Sequence, residues 1–411
     1  MADQRRLSPN VTAALLLVLL GAVLLLWQRP WQSTPDAGVD IPANASALLT
    51  QQFRALSDAS SESEFADVAG TTDAARTFAR NAWSARESLG VSDVGLRYVT
   101  GGEVADRADG STQADVEVSW MAGGESGLAE ELRTSTVKVR LDPQSDGTFA
   151  IRSVKAASGS LPIWLAGKVE VHKQADTMVI EVDGGDAEQA IESMTTKARA
   201  AVAKVVPRTT GRLVVVSPHT AVQMADLVGG EVEDLSQIAA VTTDLKGSNG
   251  AAGGVIVLLN PAVFSTMDQR AAQVVLSHEA THVLTSAVGT TPWVVEGFAD
   301  FVALHDDDAP LSLSAGQVLA EVDAGKTPKR LPDAAAFKAT GPGFGAAYES
   351  AWMVFRMLGE TYSDAEIISF YEDVLGGMKL DRALNKAFGL SVDQLTTDWR
   401  RYLVKSASTV S

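Results

Sequence analysis

The sequence predicts an α+β protein in which an N-terminal membrane-spanning helix precedes two folded parts. Three observations predict this class. The chain begins with an uncharged apolar run, continues with a helical stretch and short alternating segments, and then has a second group of strands before an almost entirely helical half. We divide the 411 residues into a tail (1–10), a transmembrane anchor (11–27), a linker (28–46), an α+β accessory module (47–157) and a C-terminal domain (162–411).

The composition is that of a folded, acidic protein. Hydrophobic residues make up 46% and charged residues 21% of the chain, and the formal net charge is −17. We expect no nucleic-acid partner, because such proteins carry a basic face for phosphates. The chain has no cysteine, so a metal ion must be held by His, Asp or Glu. The oligomeric state is left open.

The N-terminal apolar run is long enough to cross a bilayer. Residues 7–27 carry no charge, and a spanning helix needs about 20 apolar residues. Arg5 and Arg6 precede the run, which predicts a cytoplasmic N-terminus. We therefore expect a single-pass protein of the cell membrane, attached to its membrane partner through this helix, with an extracytoplasmic catalytic domain. A cleaved signal peptide is the alternative.

The accessory module begins with a helical pattern over 47–88. Apolar and polar residues then alternate over 116–120, 137–141 and 149–152, which predicts half-buried antiparallel strands. The residues D-P-Q-S-D-G between the last two segments predict a hairpin turn. In outline the module is similar to nuclear transport factor 2-like domains, and nothing in it predicts catalysis.

The C-terminal domain begins with a small sheet and continues as helices. Its predicted elements are strands near 168–172, 177–183, 212–217 and 254–260, a helix near 186–204, and further helices after Thr266. The segment 253–260 is either an exposed edge strand that an extended substrate can pair with, or an ordinary buried strand.

One helix in this domain carries the sequence H-E-A-T-H. His278 and His282 lie one helical turn apart on one face, so that both imidazoles can bind one ion. Glu279 is rotated from His278 by about 100° around the helix axis. It is badly placed to bind the same ion but can take a proton from a water molecule beside it.

The next helix supplies carboxylates. Thr291 is its expected cap and Pro292 its first residue. Glu296 and Asp300 are four residues apart, away from the apolar stripe. Glu296 is the candidate third ligand, and Asp300 can accept the second ring N–H of a ligand histidine, which fixes the tautomer of that histidine.

H-E-A-T-H followed by W-V-V-E-G-F-A-D-F resembles the gluzincin metallopeptidases. The specific residues of this resemblance span 277–303, and the layout spans about 162–404. It implies a gluzincin-type zinc metallopeptidase domain with peptide or protein substrates. It also implies a Zn²⁺ cofactor and a set of roles: metal ligands His278, His282 and Glu296, general base Glu279, and orienting residue Asp300. The G-x-M-E-N stretch of gluzincin aminopeptidases is missing, so we expect an endopeptidase.

A second donor is expected for the oxyanion that forms during peptide hydrolysis. The resemblance implies a Tyr or His from the helical half, and Tyr348 in G-P-G-F-G-A-A-Y is the candidate, in the first turn of a helix beginning near Ala346. His305 is the competing donor, and a purely structural core tyrosine is the other interpretation. We expect His172 and His219 to be ordinary surface or core histidines.

Two other functions are compatible with these residues. The first is a binding or scaffold protein whose peptidase fold is inactive or blocked. The second is a zinc hydrolase of a non-peptide amide, such as a cell-wall cross-link. All of the residues expected in the site are present in the sequence, which favours catalysis over the scaffold.

Overall fold

The α+β class is confirmed by a computed structural model, which describes residues 43–99, 111–122, 132–145, 148–184, 188–244, 255–286, 291–338 and 344–410. The helices are α1 (Ala43–Asp58), α2 (Glu62–Ala69), α3 (Asp73–Leu89), α4 (Glu188–Val205), α5 (Ala221–Val228), α6 (Pro261–Phe264), α7 (Gln269–Thr285), α8 (Pro292–Ala303), α9 (Leu311–Ser314), α10 (Gly316–Asp323), α11 (Phe344–Gly359), α12 (Asp364–Leu375), α13 (Leu380–Phe388) and α14 (Val392–Val410). The strands are β1 (Val91–Tyr98), β2 (Thr112–Ala122), β3 (Leu132–Pro143), β4 (Phe149–Ser158), β5 (Val169–Lys173), β6 (Thr177–Val182), β7 (Leu213–Pro218), β8 (Ala240–Asp244) and β9 (Val255–Leu259).

The N-terminal part is a four-stranded antiparallel sheet in the order β1-β2-β3-β4, with α1, α2 and α3 beside it. Its strands alternate as the sequence predicts: Val116 and Val118 of β2 are buried, whereas Glu117 between them is not. Strand β1 was not predicted, because V-S-D-V-G-L-R-Y has no regular alternation. The likeness to nuclear transport factor 2-like domains stays a prediction.

The C-terminal part contains a five-stranded sheet in the order β5-β6-β7-β9-β8. Strands β6, β7 and β9 are parallel, while β5 and β8 pair antiparallel at the two edges. The two interpretations left open for 253–260 are now separated, because β9 lies between β7 and β8. The edge on that side is β8, a strand that the sequence analysis missed.

This sheet divides the hydrophobic core in two. Along β7, Leu213 and Val215 pack with the C-terminal helices, whereas Val214 and Val216 pack with the N-terminal part. Strands that are buried on both faces read as continuous apolar runs, as L-V-V-V does here. The sheet therefore connects the two segments that we separated by sequence, because one of its faces contributes to each of the two cores.

Helices α7 and α8 lie against each other, both pack on α4, and α8 also packs on α11. Gly297 permits the close approach of α8 to α11, since a Cβ at this position would lie 2.6 Å from the carbonyl oxygen of Ala351. One residue further along, Phe298 stacks on Tyr371 of α12 with ring centroids 3.8 Å apart. These contacts fix the face that α8 turns towards α7.

The predicted membrane anchor is corrected. Among residues 43–410, apart from the gaps given above, no helix has both the length and the apolar character needed to cross a bilayer. The physical reason lies in the helices themselves: the longer ones carry polar and charged residues along their length, and the largely apolar α8 has only 12 residues. The predicted span 11–27 lies outside the described residues. The structure therefore supports neither the transmembrane helix in the predicted fold nor the single-pass membrane localisation.

Candidate metal centre

Helix α7 carries His278, Glu279 and His282 into the interior. It begins at the cap Asp268, whose side chain accepts a hydrogen bond from the Ala271 amide, and it ends where Ser286 adopts a left-handed conformation (φ 51°). All three site side chains are buried: the exposed fractions are 2% for His278, 0% for Glu279 and 7% for His282. Burial of three ionisable groups is costly unless they are paired with one another or bind an ion.

Helix α8 places Glu296 opposite both histidines. Thr291 is its N-cap and Pro292 its first residue, as the sequence predicts. Glu296 Oε2 lies 3.3 Å from His278 Nε2 and 3.4 Å from His282 Nε2, and the two Nε2 atoms are 2.9 Å apart. Atoms about 2.0–2.1 Å from a tetrahedral ion lie roughly 3.3 Å from one another. The triangle therefore has the size that one such ion requires.

The donor set also fits a metal ion chemically. Among the described residues, Glu296 Oε2 makes no well-directed hydrogen bond, although it is shielded from water and faces two imidazoles. Buried carboxylate oxygens are normally hydrogen-bonded, so an oxygen in this state calls for a partner. A divalent cation between the three side chains satisfies all three at once, and these residues can hold one.

Asp300 fixes the orientation of His278. Its Oδ1 lies 2.6 Å from His278 Nδ1, so that a neutral His278 donates its Nδ1–H to Asp300. The lone pair is then on Nε2, the nitrogen that faces Glu296 and His282. Such a carboxylate selects the ligand tautomer and raises the basicity of the ring.

The charges around the site affect the protonation of two candidate ligands, His278 and Glu296. Burial opposes a charge on His278, yet Asp300 and Glu296 raise its pKa to about 10. Burial likewise opposes a charge on Glu296, but His282 and His278 hold its pKa at about 2. These charges favour an ionised Glu296 beside a protonated His278. Metal binding must release a proton, as expected when ligands have to be deprotonated.

Glu279 faces the sheet. The Thr242 hydroxyl of edge strand β8 donates to Glu279 Oε2 at 2.5 Å, while Oε1 is buried and has no hydrogen-bond partner among the described residues. Burial raises the pKa of Glu279, and His282, His278 and Thr242 act against that rise. One oxygen is thus fixed and the other is available for a proton. Sequence analysis missed Thr242, because the short segment A-V-T-T-D gives no clear strand signal.

Two buried tyrosines lie close to the carboxylates. Burial raises the pKa of Tyr348 well above its ordinary value, and Glu296, Asp300 and Glu279 are near enough to raise it further. Its phenol therefore stays protonated and remains a donor. Helix α11 begins at Phe344, so Tyr348 lies in the second turn rather than the first. Tyr371 was missed, because nothing in I-S-F-Y-E-D-V-L separates it from a core tyrosine.

The other histidines are engaged elsewhere or exposed. His305, the competing donor, lies in the turn after α8 with Nδ1 3.3 Å from Asp306 and Nε2 3.1 Å from Asp364. His219 is exposed. His172 lies on β5, with Nδ1 3.1 Å from Oε1 of Glu192 on α4. The geometry thus brings together His278, Glu279, His282, Glu296 and Asp300, places Tyr348 near them, and gives His305 other partners.

Comparisons with known proteins find solved structures that are only weakly similar to this chain. No protein-family model and no curated protein matches the chain. Among solved structures, a mutant M1 zinc metallopeptidase from Deinococcus radiodurans is 12% identical, with a TM-score of 0.35, and the match covers 71% of this chain and 61% of that one. A two-domain M1 zinc metallopeptidase mutant bound to L-arginine is 13% identical, with a TM-score of 0.37 and coverage of 75% and 69%.

A third such structure, from Deinococcus radiodurans and bound to a Tyr-Ser-Ala substrate, is 13% identical, with a TM-score of 0.36 and coverage of 75% and 69%. The chain spans less than two thirds of the length of the first of these proteins. Likeness of this degree assigns neither a substrate nor an activity to the chain.

The metal centre predicts a graded loss of affinity. Glu296→Ala removes a ligand and should abolish high-affinity binding of one divalent ion per chain at this site. Asp300→Asn leaves the ligands in place but loses the orienting charge, and should weaken binding by about 10–100-fold. Equilibrium dialysis with metal analysis measures both. Asp364→Asn is the matched control, since Asp364 contacts His305 in the same way outside the site. Full metal retention in Glu296→Ala would contradict the ligand assignment.

Proposed function

We propose that the chain is a zinc metallopeptidase that hydrolyses peptide bonds. The observation that carries this proposal is the convergence of His278, His282 and Glu296 at mutual distances of 2.9–3.4 Å, with a buried carboxylate, Glu279, directly beside them. Two imidazoles and one carboxylate are a typical donor set of catalytic zinc, which leaves a fourth position for water or substrate. Glu279 would have no evident role in a purely structural site.

The chemistry divides between ion and protein. When bound, zinc supplies a Lewis acid for a carbonyl oxygen and lowers the pKa of water to about 7. His278, His282 and Glu296 would hold the ion, and Asp300 keeps Nε2 of His278 on the side of Glu296 and His282. Glu279 Oε1 takes the proton of the attacking water and later passes it to the leaving amine. Thr242 holds the other oxygen of Glu279 during both transfers.

Tyr348 supplies the second donor in this proposal. The carbonyl oxygen of the substrate becomes negative during attack, and a preorganised neutral donor stabilises that charge strongly in a buried site. Tyr348 is 2% exposed and close to the three carboxylates of the site. His305 is a poorer candidate, because both of its ring nitrogens lie next to other carboxylates.

The substrate is expected to lie along β8. Among the described strands β8 pairs only with β9, and Thr242 connects it directly to Glu279. An extended peptide that adds to a sheet edge forms main-chain hydrogen bonds, which do not depend on a free amino terminus. We therefore propose endopeptidase rather than aminopeptidase activity.

Glu279→Gln is expected to keep the metal and to lose activity. The substitution preserves volume and the Thr242 contact but removes the proton acceptor, a loss of about 10²–10⁴-fold. The zinc-loaded chain and the variant are incubated with a library of peptides with free and with blocked amino termini, and products are identified by mass spectrometry. Internal cleavage of blocked peptides by the wild type alone supports the proposal. Equal cleavage by both proteins would remove Glu279 from the mechanism.

Thr242→Val should lower kcat with little change in metal content. It removes the donor to Glu279 Oε2 and leaves a buried carboxylate without that partner, which costs about 1–3 kcal/mol. Thr242→Ser keeps a hydroxyl and should restore most of the rate. A rate in Thr242→Val equal to that of the wild type would show that Glu279 is positioned without Thr242.

Tyr348→Phe should lower kcat by about 10²-fold with a modest change in KM, as expected for the loss of one oxyanion donor. The control is Tyr362→Phe, which removes a phenol that donates to the Phe388 carbonyl and lies outside the site. Steady-state kinetics on a blocked peptide measures both variants. If the folded, zinc-loaded Tyr348→Phe protein keeps the kcat of the wild type, the tyrosine has only a packing role.

A further inference from the structure

A second group of metal-ligating side chains lies on the β5–β6 hairpin. Glu170 and His172 are two residues apart on β5 and therefore share one face of the sheet. Glu181 of β6 is the direct cross-strand partner of Glu170 and lies on the same face. One ligand atom from each of the three residues lies within 4.8 Å of the other two. None of them belongs to α7 or α8.

We propose that Glu170, His172 and Glu181 form a second site for a divalent transition-metal cation, such as Zn²⁺ or Mn²⁺. An imidazole with carboxylates is a donor set that suits these ions, whereas Mg²⁺ and Ca²⁺ prefer oxygen donors only. The inference does not depend on the proposed peptidase activity.

The position of the carboxylates is the first argument. Like charges directly opposite one another on neighbouring strands are destabilising. Glu170 and Glu181 are such a pair, and Glu181 is 3% exposed, so solvent screens its side of the repulsion poorly. Lys168 pairs with Glu170 from a largely exposed position. A divalent cation between Glu170 and Glu181 converts the repulsion into attraction for both.

The orientation of His172 is the second, independent argument. Its Nδ1 lies 3.1 Å from Oε1 of Glu192 on α4, and its Nε2 is buried. A neutral His172 that donates its Nδ1–H to Glu192 carries its lone pair on Nε2, as a metal ligand must. The same arrangement occurs at His278, where Asp300 holds Nδ1. A carboxylate behind a histidine is typical of metal-ligating imidazoles.

A cation at this site would have a structural role. It would stabilise the β5–β6 hairpin. Through the contact of His172 with Glu192, it would also stabilise the N-terminal half of α4. Helix α4 packs on α7, and the side chain of Gln273 on α7 donates to the Met194 carbonyl of α4 at 3.1 Å. The second ion would thus support the helix behind the candidate catalytic centre without touching the substrate.

The test counts ions in a full-length chain whose first site has been removed. His282→Ala should still bind one Zn²⁺ or Mn²⁺ per chain in equilibrium dialysis with the metal alone, and metal should raise its Tm. Adding Glu181→Gln or His172→Gln should remove this ion and the Tm shift. Adding Glu233→Gln, at an exposed position, should change neither.

Two outcomes would overturn the proposal. One is a His282→Ala chain that binds no ion. The other is an ion that persists in both Glu181→Gln and His172→Gln. If the buried Glu181→Gln variant fails to fold, the half-exposed His172→Gln variant decides. Failure of the first metal centre, which the proposed peptidase activity requires, looks different: the wild type then binds one ion, which His282→Ala keeps and His172→Gln loses.

Discussion

The pairing of α7 with α8 is the constraint on which the rest of the site depends. His278 contacts two carboxylates of α8 at once: Asp300 through Nδ1 and Glu296 through Nε2. Both contacts exist only if the helices lie close and in a single register. Gly297 stabilises this arrangement on the side of α8 that faces α11, because it lets α8 approach the backbone of α11. Removal of one partner from such a buried charged group typically costs about 3–5 kcal/mol.

The sheet contributes the other half of the arrangement. Strands β7 and β9 have buried apolar residues on both faces, so the α4–α7 layer and the N-terminal part are held on opposite sides of the sheet. Edge strand β8 then reaches Glu279 through Thr242. The candidate metal ligands are thus positioned by helix packing, whereas the proposed base, Glu279, is positioned by the sheet. In the proposed mechanism, the helix packing positions the ion and the sheet positions Glu279, and both act on the same water molecule.

The sequence was informative where the structure is local. Spacing of four residues places His278 with His282 on α7, and Glu296 with Asp300 on α8, because helix geometry fixes these relations. The contacts that Glu279 and His278 make with residues of other helices and strands are harder to predict from the sequence. Thr242 lies in a short strand whose edge position depends on the order of the whole sheet, and Tyr371 approaches Glu296 only through the packing of α12 on α8. The apolar N-terminal run was interpreted from its length and from the arginines before it, and the described helices do not support that interpretation.

The most direct measurement of the central claim is X-ray absorption at the zinc edge of the chain loaded with one equivalent of zinc, in a His172→Gln background. The account predicts a four- or five-coordinate ion with two imidazole nitrogens and oxygen ligands at about 2.0–2.2 Å. The imidazole signal should disappear with His282→Ala. A shell of six oxygens without imidazole, or a spectrum that His282→Ala leaves unchanged, would contradict a metal centre built by α7 and α8.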